Sequence, residues 1–412
     1  MQLTDCQEKA AKTFLAFLVS PNKHMCISGP PGVGKTYMLD HMIDMLPNTE
    51  RICNIMGAEP LKDIAITATT NKAAEVLQER FPNRDVKTIH STIGLTVRDD
   101  YRTGKTNTVK SKSFSYLQDT LLLMDEASMA DTQLLKLIEE ATNRNCKIVF
   151  IGDHCQLAPV SEKESPAFNS GFLTSYLTTQ VRTSNSPALT ALNTQLRETV
   201  ETGIFKPISP VPGIIDFVDD VEMRNLMDAH FINQETPGHK ILAYTNNRTQ
   251  EFNTYIRQEK GLPIHLMVGD RVISNNSIEI GSSRTKIEKE YLVTSVSNGV
   301  YTDDKSGIQF RTVVLNNNLH VWVAESYTQL AGSIRQAAHV KDWETYFYLK
   351  NNFADLRIAY AGTAHKSQGS TYHTVYVDLS DLRVCRDPQE LARLLYVAVS
   401  RATTRVVFYG SL

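Results

Sequence analysis

Cysteine is sparse in this 412-residue chain and nowhere paired. Its six cysteines (Cys6, Cys26, Cys53, Cys146, Cys155, Cys385) are scattered, with no C-x-x-C spacing. That argues against a disulfide framework and a zinc ribbon, and a reducing compartment is expected. Long apolar runs are also missing. The longest, such as LLLM at 121–124, are far too short to span a bilayer. The opening MQLTDCQEKAAKTF is amphipathic and carries acids, without the apolar centre of a signal peptide. The chain therefore reads as soluble and cytoplasmic, with no membrane partner. An excess of one charge is lacking as well: 43 Lys and Arg face 45 Asp and Glu, a net charge of −2. Any nucleic-acid contact must then use a local groove rather than global attraction, which argues against a nonspecific coat protein. There is no repeat array and no low-complexity tract.

What is present alternates. MCIS (25–28) leads into a glycine loop and then YMLDHMIDML, with Met38, Leu39, Met42, Ile43 and Leu46 at helical spacing. DIAITAT (63–69) leads into NKAAEVLQERF, DTLLLMDEAS into DTQLLKLIEEA, and CKIVFIGD follows. Strand-then-helix repetition predicts a doubly wound α/β fold with a parallel sheet covered on both faces. HKILAYTNNRTQEFNTYI (239–256), YHTVYVDLS and ARLLYVAVSRATTRVVFYG predict a second unit of the same kind.

Two segments break the pattern. Residues 94–118 are polar and rich in Thr, with a turn expected at Thr103-Gly104 and five basic against two acidic residues from Arg98 to Lys112. They predict a protruding β-hairpin. Residues 270–323 hold the β-patterned runs YLVTSV, IQFRTVVL and LHVWV between polar turns, which predicts an inserted small β-barrel. A helical stretch follows, with Trp343, Tyr346 and Phe347 at helical spacing and expected to pack as core against the barrel.

GPPGVGKT, Gly29 to Thr36, matches the phosphate-binding P-loop pattern, and it lies between an apolar run and an amphipathic helix as that pattern requires. Across Gly29, Pro30, Gly32, Val33, Gly34, Lys35, Thr36 and the following Tyr37, backbone N–H groups can converge on phosphate oxygens beside a helix N-terminus. Lys35 can bridge the β- and γ-phosphates, and the Thr36 hydroxyl can ligate Mg²⁺. In LLLMDEAS (121–128) an apolar strand ends in Asp125, a candidate to hold Mg²⁺, while Glu126 would polarise the attacking water. Two adjacent acids alone would suggest a solvated helix start; beside a P-loop they point to nucleotide hydrolysis. No N-K-x-D guanine tetrapeptide occurs, so ATP is expected rather than GTP.

Further motifs resemble those of a known family. IGDHCQLAPV (151–160), LTTQVRTS (177–184), TAHKSQGST (363–371) and LLYVAVSRAT (394–403) resemble motifs III to VI of the superfamily 1 helicases, while ATTNKAA (68–74) and KTIHSTIGL (87–95) resemble motifs Ia and Ib. They occur in family order and span nearly the whole chain, and the RecD-like 5′-to-3′ branch fits best. The resemblance implies two RecA-like P-loop NTPase lobes with ATP and Mg²⁺ between them and single-stranded DNA across their top. The first lobe would comprise 1–93 and 119–180, with the hairpin at 94–118. The second would comprise 181–268 and 354–412, with an SH3-like β-barrel plus helical insertion at 269–353.

By the same resemblance Gln156 senses the γ-phosphate, Arg182 and Arg401 are arginine fingers, and Gln368 and Gly369 face the nucleotide. Gln7 would read adenine, although Thr4 to Gln7 also has the spacing of a helix capping box. Thr70, Asn71, Lys72, Thr88, His90, Thr363 and His365 are candidates to hold DNA phosphates, and Tyr101, Phe114 and Tyr116 to wedge or stack bases. The implied activity is an ATP-dependent, DNA-stimulated helicase. It would act as a monomer on single-stranded and fork DNA, alongside replication or recombination proteins. An inactive DNA-binding scaffold and an RNA-directed relative are the alternatives.

Overall fold

The alternation along the chain becomes two parallel sheets in the computed structural model, which describes residues 3–57, 59–159, 162–182, 186–280, 283–316 and 318–412. The first lobe contributes β1 (His24–Ser28), β2 (Asp63–Ala68) and β3 (Val86–Thr88). A separate hairpin of β4 (Leu95–Asp100) and β5 (Lys105–Lys110) follows, then β6 (Thr120–Asp125), β7 (Lys147–Gly152) and β8 (Leu173–Tyr176). The sheet order is β3-β2-β6-β7-β1-β8, all parallel. Successive side chains point to opposite faces of a strand. Met25, Ile27, Leu121, Leu123, Val149 and Ile151 therefore pack under helices α1 (Asp5–Val19), α2 (Lys35–Met56) and α3 (Asn71–Arg80). Their neighbours Cys26, Leu122, Met124, Ile148 and Phe150 pack on the other face with Leu134 and Ile138.

The chain continues through β9 (Ile215–Val218) and β10 (His239–Ala243) into the insertion. This holds β11 (Arg271–Ser274), β12 (Glu279–Ile280), β13 (Ser283–Arg284), β14 (Glu290–Val296), β15 (Tyr301–Thr302), β16 (Gln309–Leu315) and β17 (Leu319–Ala324). Two helices, Tyr327–His339 and Trp343–Asn352, come next, then β18 (Leu356–Ile358). The pairings trace an antiparallel sheet, β15-β16-β14-β11-β18 with β17 on β16, an open path rather than a closed ring. The sequence reading gave 356–358 to the second lobe, but β18 pairs with β11 and so belongs to the insertion's sheet. The remaining strands, β19 (Ala361–Thr363), β20 (Tyr372–Asp378) and β21 (Ala402–Tyr409), complete the second parallel sheet in the order β19-β10-β20-β21-β9. It too is buried on both faces: Leu242, Val375, Val377 and Phe408 on one, Ile241, Tyr376 and Val407 on the other.

The insertion's second helix departs from the expected packing. Phe347 is buried, but Trp343 and Tyr346 are only half-buried, and the helix also meets the hairpin of the first lobe. A Cβ on Gly104, in the hairpin turn at φ +68°, would lie 2.3 Å from the Trp343 ring. Tyr101 packs edge-on against Phe347 with centroids 5.0 Å apart, and Asn351 Nδ2 donates to Asp99 at 2.8 Å.

At the edge of the second sheet three imidazoles stack: His230 on His239 at 4.5 Å, and His239 on His373 at 5.8 Å. Burial first, then these neighbours and Arg405, hold His239 down at about 4. An unfolded histidine titrates near 6.5. Between those values the unfolded chain holds the extra proton, so stability falls as pH drops from about 6.5 to about 4. His239→Gln should reduce the loss of thermal midpoint between pH 7 and pH 4.5, and an unchanged loss would contradict this.

Candidate functional site: a cleft between the two lobes

Parallel strands deliver their carboxyl ends to one edge, and their register aligns those ends. Ser28 lies beside Gly152, and Ala68 beside Asp125. The P-loop leaves β1 there, and its Gly29 N–H donates to the Gly152 carbonyl at 3.0 Å. Gly32 and Gly34 sit at φ +87° and +80°, in the left-handed region open to glycine at no steric cost. Lys35 opens α2 and donates through Nζ to the carbonyls of Gly29 at 2.8 Å and Pro30 at 3.1 Å. Val33 is buried in the core, and Tyr37 follows in the first turn of α2.

Asp125 ends β6, and its Oδ1 accepts from the Glu126 N–H at 2.9 Å. Glu126 itself stands at φ +52°, a left-handed backbone that costs a non-glycine residue roughly 1–3 kcal/mol and recurs at functional sites. From the second lobe, the loop between β19 and β20 brings Gln368, whose Nε2 donates to Ser128 Oγ at 3.1 Å and faces Glu126 Oε2 at 3.5 Å. A Cβ on Gly369 would lie 3.9 Å from Glu126 Oε1. Arg401 caps the helix Pro388–Ser400 and is buried, donating to the carbonyls of Val397 and Ser370 and to Ser400 Oγ.

One cleft is lined by Gly32, Gly34, Lys35, Thr36, Asp125, Glu126, Gln156, Arg182, Gly369 and Arg401. Gln156 is buried, with its Oε1 unpartnered among the described residues. Burial pushes Lys35 down while Asp153, Glu126 and Asp125 push it back up. Burial, then Glu126, raises Asp125 to about 6. Burial likewise lowers Arg401, and Glu126 opposes that. Three cations, Lys35, Arg182 and Arg401, thus share one space with the two carboxylates Asp125 and Glu126.

One placement differs from the sequence reading, and one adds to it. Arg182, assigned there to the second lobe, is tied to the first, because its own N–H and that of Val181 donate to the Gly32 carbonyl at 3.0 and 2.8 Å. Gln7 completes the capping box, its Oε1 accepting from the Thr4 N–H at 3.0 Å, and its Nε2 donates to the Val33 carbonyl at 3.0 Å. Its amide thus braces the P-loop from behind. Val160, Thr183 and Ser184, at the ends of two motifs, lie outside the described residues.

The candidate strand-holding residues divide into groups. Thr70 and Thr88 cap helices, their hydroxyl oxygens accepting from the N–H groups of Ala73 and Ser91 at 3.2 Å. Thr363 accepts from the Lys366 N–H at 3.4 Å. A hydroxyl that accepts such a bond keeps its proton to donate to a phosphate. His365 Nε2 lies 3.5 Å from Glu390, and burial lowers its pKa. His90 is lowered in the same way. Asn71 is half-buried at the start of α3. Lys72 and Thr363 line a second pocket with Lys240, Glu288, Arg357 and Lys366, where both lobes meet the insertion. Of the hairpin aromatics, Tyr101 touches Phe347 edge-on but stays as exposed as Tyr116, and Phe114 lies under Lys110 Nζ at 4.5 Å.

Comparison with known proteins decides the family. A profile of the AAA domain matches residues 10–162, and one of the UvrD-like helicase C-terminal domain matches 358–409. The ATP-dependent DNA helicase dda of Enterobacteria phage T4 is 23% identical over 459 residues, covering 98% of this chain and 99% of that one. The chain is Dda-like, of the superfamily 1 type.

The RecBCD enzyme subunit RecD of Mycobacterium tuberculosis is 22% identical over 441 residues, spanning 99% of this superfamily 1 chain and 69% of that protein. A Pif1 helicase from Bacteroides, solved in complex with ADP-AlF3 and ssDNA, shares the fold with a TM-score of 0.54 at 17% identity, over 99% of this chain and 92% of that one. Motif matching alone did not single out Ser128, Ser370, Thr371 or Asp153, all of which join or adjoin the cleft. Asp153 could have been found, since it follows β7 as Asp125 ends β6. Ser128 could not, because only the fold brings Gln368 to it. The tight loop also makes a prediction: a Cβ on Gly34 would meet Gln7 Nε2 at 2.7 Å in a left-handed conformation. Gly34→Ala should destabilise the first lobe by about 1–3 kcal/mol, read as a lower unfolding midpoint; an unchanged midpoint would contradict the fit.

Proposed function

We propose that the chain is an ATP-dependent DNA helicase and translocase that moves 5′-to-3′ on single-stranded DNA, hydrolysing ATP between its two lobes. The observation that carries this is the convergence of Lys35, Glu126, Gln156, Arg182 and Arg401 on one cleft walled by both lobes. In this reading the backbone of Gly29 to Thr36, with Pro30, Val33 and Tyr37 shaping the loop, cradles the phosphates beside the N-terminus of α2. Gln7 contacts adenine with the amide capacity left over from its two bonds to the chain. Glu126 orients and deprotonates the attacking water, Gln156 faces the γ-phosphate, and the two guanidiniums stabilise charge spread over its oxygens.

Thr36 and Asp125 are hard oxygen donors at the mouth of the P-loop, a donor set that fits Mg²⁺. Bound there, the ion would neutralise charge between the β- and γ-phosphates. Gln368 and Gly369 lie at the cleft, and Thr363 and His365, a few residues earlier on the same loop, hold the strand. The loop therefore links nucleotide to track. Thr70, Asn71, Lys72, Thr88 and His90 form the other grip, all through groups that contact phosphates without reading sequence.

The domain limits given from the sequence, with 356–358 moved to the insertion and Val181 and Arg182 to the first lobe, the SH3-like character of the insertion, action as a monomer at forks, replication or recombination partners and a cytoplasmic setting in a phage-infected host belong to the same proposal. The shared course with Dda supports them. Among the described residues no helix is long and apolar enough to cross a membrane.

The test is steady-state ATP hydrolysis with and without oligo-dT, followed by unwinding of duplexes bearing a 5′ or a 3′ tail. Stimulation by oligo-dT and unwinding from 5′ tails are expected. No stimulation, or stimulation by oligo-U alone, would overturn the DNA motor, and unwinding only from 3′ tails would reverse the polarity. Lys35→Ala should lower hydrolysis at least about a hundredfold while DNA still binds.

A further inference from the structure

The loop that carries Gln156 is held from the other lobe. Asp153 and Gln156 follow β7 in the first lobe, and the Asp153 carboxylate is completely buried. Its partners come from two helices of the second lobe. Arg197 on Pro187–Thr202 donates through NH1 to Oδ1 at 2.6 Å, and the Tyr396 hydroxyl on Pro388–Ser400 donates to Oδ2 at 2.7 Å. Arg393, one turn before Tyr396 and itself buried, donates through NH1 to the carbonyls of both His154 and Gln156 at 2.5 Å. His154 in turn shares a 3.0 Å bond with Ser28 Oγ, immediately before the P-loop.

The helix that carries Arg393 and Tyr396 ends at Arg401. Arg393 and Arg401 are eight residues apart, about 12 Å along the axis of a rigid helix. A displacement of that helix thus moves Arg401 and the carbonyls around Gln156 together. Pulling the lobes apart part-way would leave a buried carboxylate unpaired and the two carbonyls, that of Gln156 buried, without donors, so intermediate positions are disfavoured over held and released ones.

We propose that Arg393 is a positioning residue for hydrolysis, which sets Gln156 in the cleft by gripping the His154 and Gln156 carbonyls while Arg197 and Tyr396 lock Asp153. The second lobe thereby delivers Arg401 directly and Gln156 through the first lobe's own loop. This rests on the reading of the cleft as a site of ATP hydrolysis. None of these three second-lobe groups lines the cleft, so their effect is transmitted through the loop.

The experiment compares Arg393→Ala, Arg393→Lys, Gln156→Ala and the Arg393→Ala/Gln156→Ala double variant of the full chain in oligo-dT-saturated ATP hydrolysis. Arg393→Ala should lower kcat roughly tenfold or more with KM held within about twofold. Arg393→Lys, whose ammonium can still donate to carbonyls, should recover part of the loss. In the Gln156→Ala background the Arg393 change should add little, the non-additivity expected when one residue acts through another. Turnover of Arg393→Ala equal to the parent, or the same fold loss with and without Gln156, would overturn the proposal. If Arg393→Ala fails to fold by circular dichroism, Tyr396→Phe replaces it, with the same kcat-only loss and non-additivity expected and full activity or additive loss contradicting. A parent chain that hydrolyses no ATP would remove the hydrolysis reading itself and this proposal with it, whereas an active parent with an indifferent Arg393 removes only the latter.

Discussion

Ionised groups do not enter a protein interior singly. Lys35, Asp125, Glu126 and Arg401 share one cleft, and burial alone pushes Lys35, Asp125 and Arg401 toward neutrality. Opposite charges offset part of that: Lys35 draws Asp125 back down although Glu126 raises it further, the carboxylates and Asp153 hold Lys35 up, and Glu126 holds Arg401 up. Removing one member of such a set typically costs about 3–5 kcal/mol because its partner is left buried and uncompensated. The same arrangement would suit a nucleotide triphosphate, whose negative charge answers the cations. The rest of the molecule can be understood as the means of holding these groups in place.

Two parallel sheets do most of that holding. Strand register brings Ser28, Asp125 and Gly152 to one edge of the first sheet, and the helix between β20 and β21 in the second delivers Arg401 to the same space. The segment Thr363 to Thr371 crosses between two surfaces in nine residues. Its end at β19 lies in the cavity with Lys72, and Gln368 reaches Glu126 and Ser128 on the other side. Away from the cleft, Glu75 on α3 pairs with Lys289 at 2.7 Å and Lys286 at 3.5 Å from the insertion, and the hairpin rests on Trp343 and Phe347. The insertion therefore also leans on the first lobe, although it branches from the second.

Much of this was legible in the sequence, for identifiable reasons. Strands buried on both faces are continuous apolar runs, and each one that precedes a polar loop marks a sheet edge where chemistry can sit; β1, β6 and β7 were read that way. The P-loop was legible because glycines at φ +80° and +87° leave a fixed pattern. What escaped depends on distant contacts. Nothing local says that Trp343 packs on Gly104, more than two hundred residues away, so helical spacing alone makes the aromatic triplet look like core. Arg182 was assigned to the wrong lobe because its backbone bonds to Gly32 leave no trace in its own motif. The Asp153–Arg197–Tyr396 contact was hidden for the same reason, since a lone aspartate after a strand carries no record of its partners. Gln7 satisfied both of its readings at the level of spacing, and only the fold adds the bond to Val33.

The most direct test of the shared-charge cleft is single-turnover ATP hydrolysis by Arg401→Ala, with nucleotide binding measured separately on the same protein. Hydrolysis should fall by about a thousandfold while nucleotide affinity changes by less than about tenfold, because Arg401 matters most where charge develops in the transition state. Hydrolysis at the parent rate would contradict the account, since the second lobe would then contribute nothing to the reacting centre.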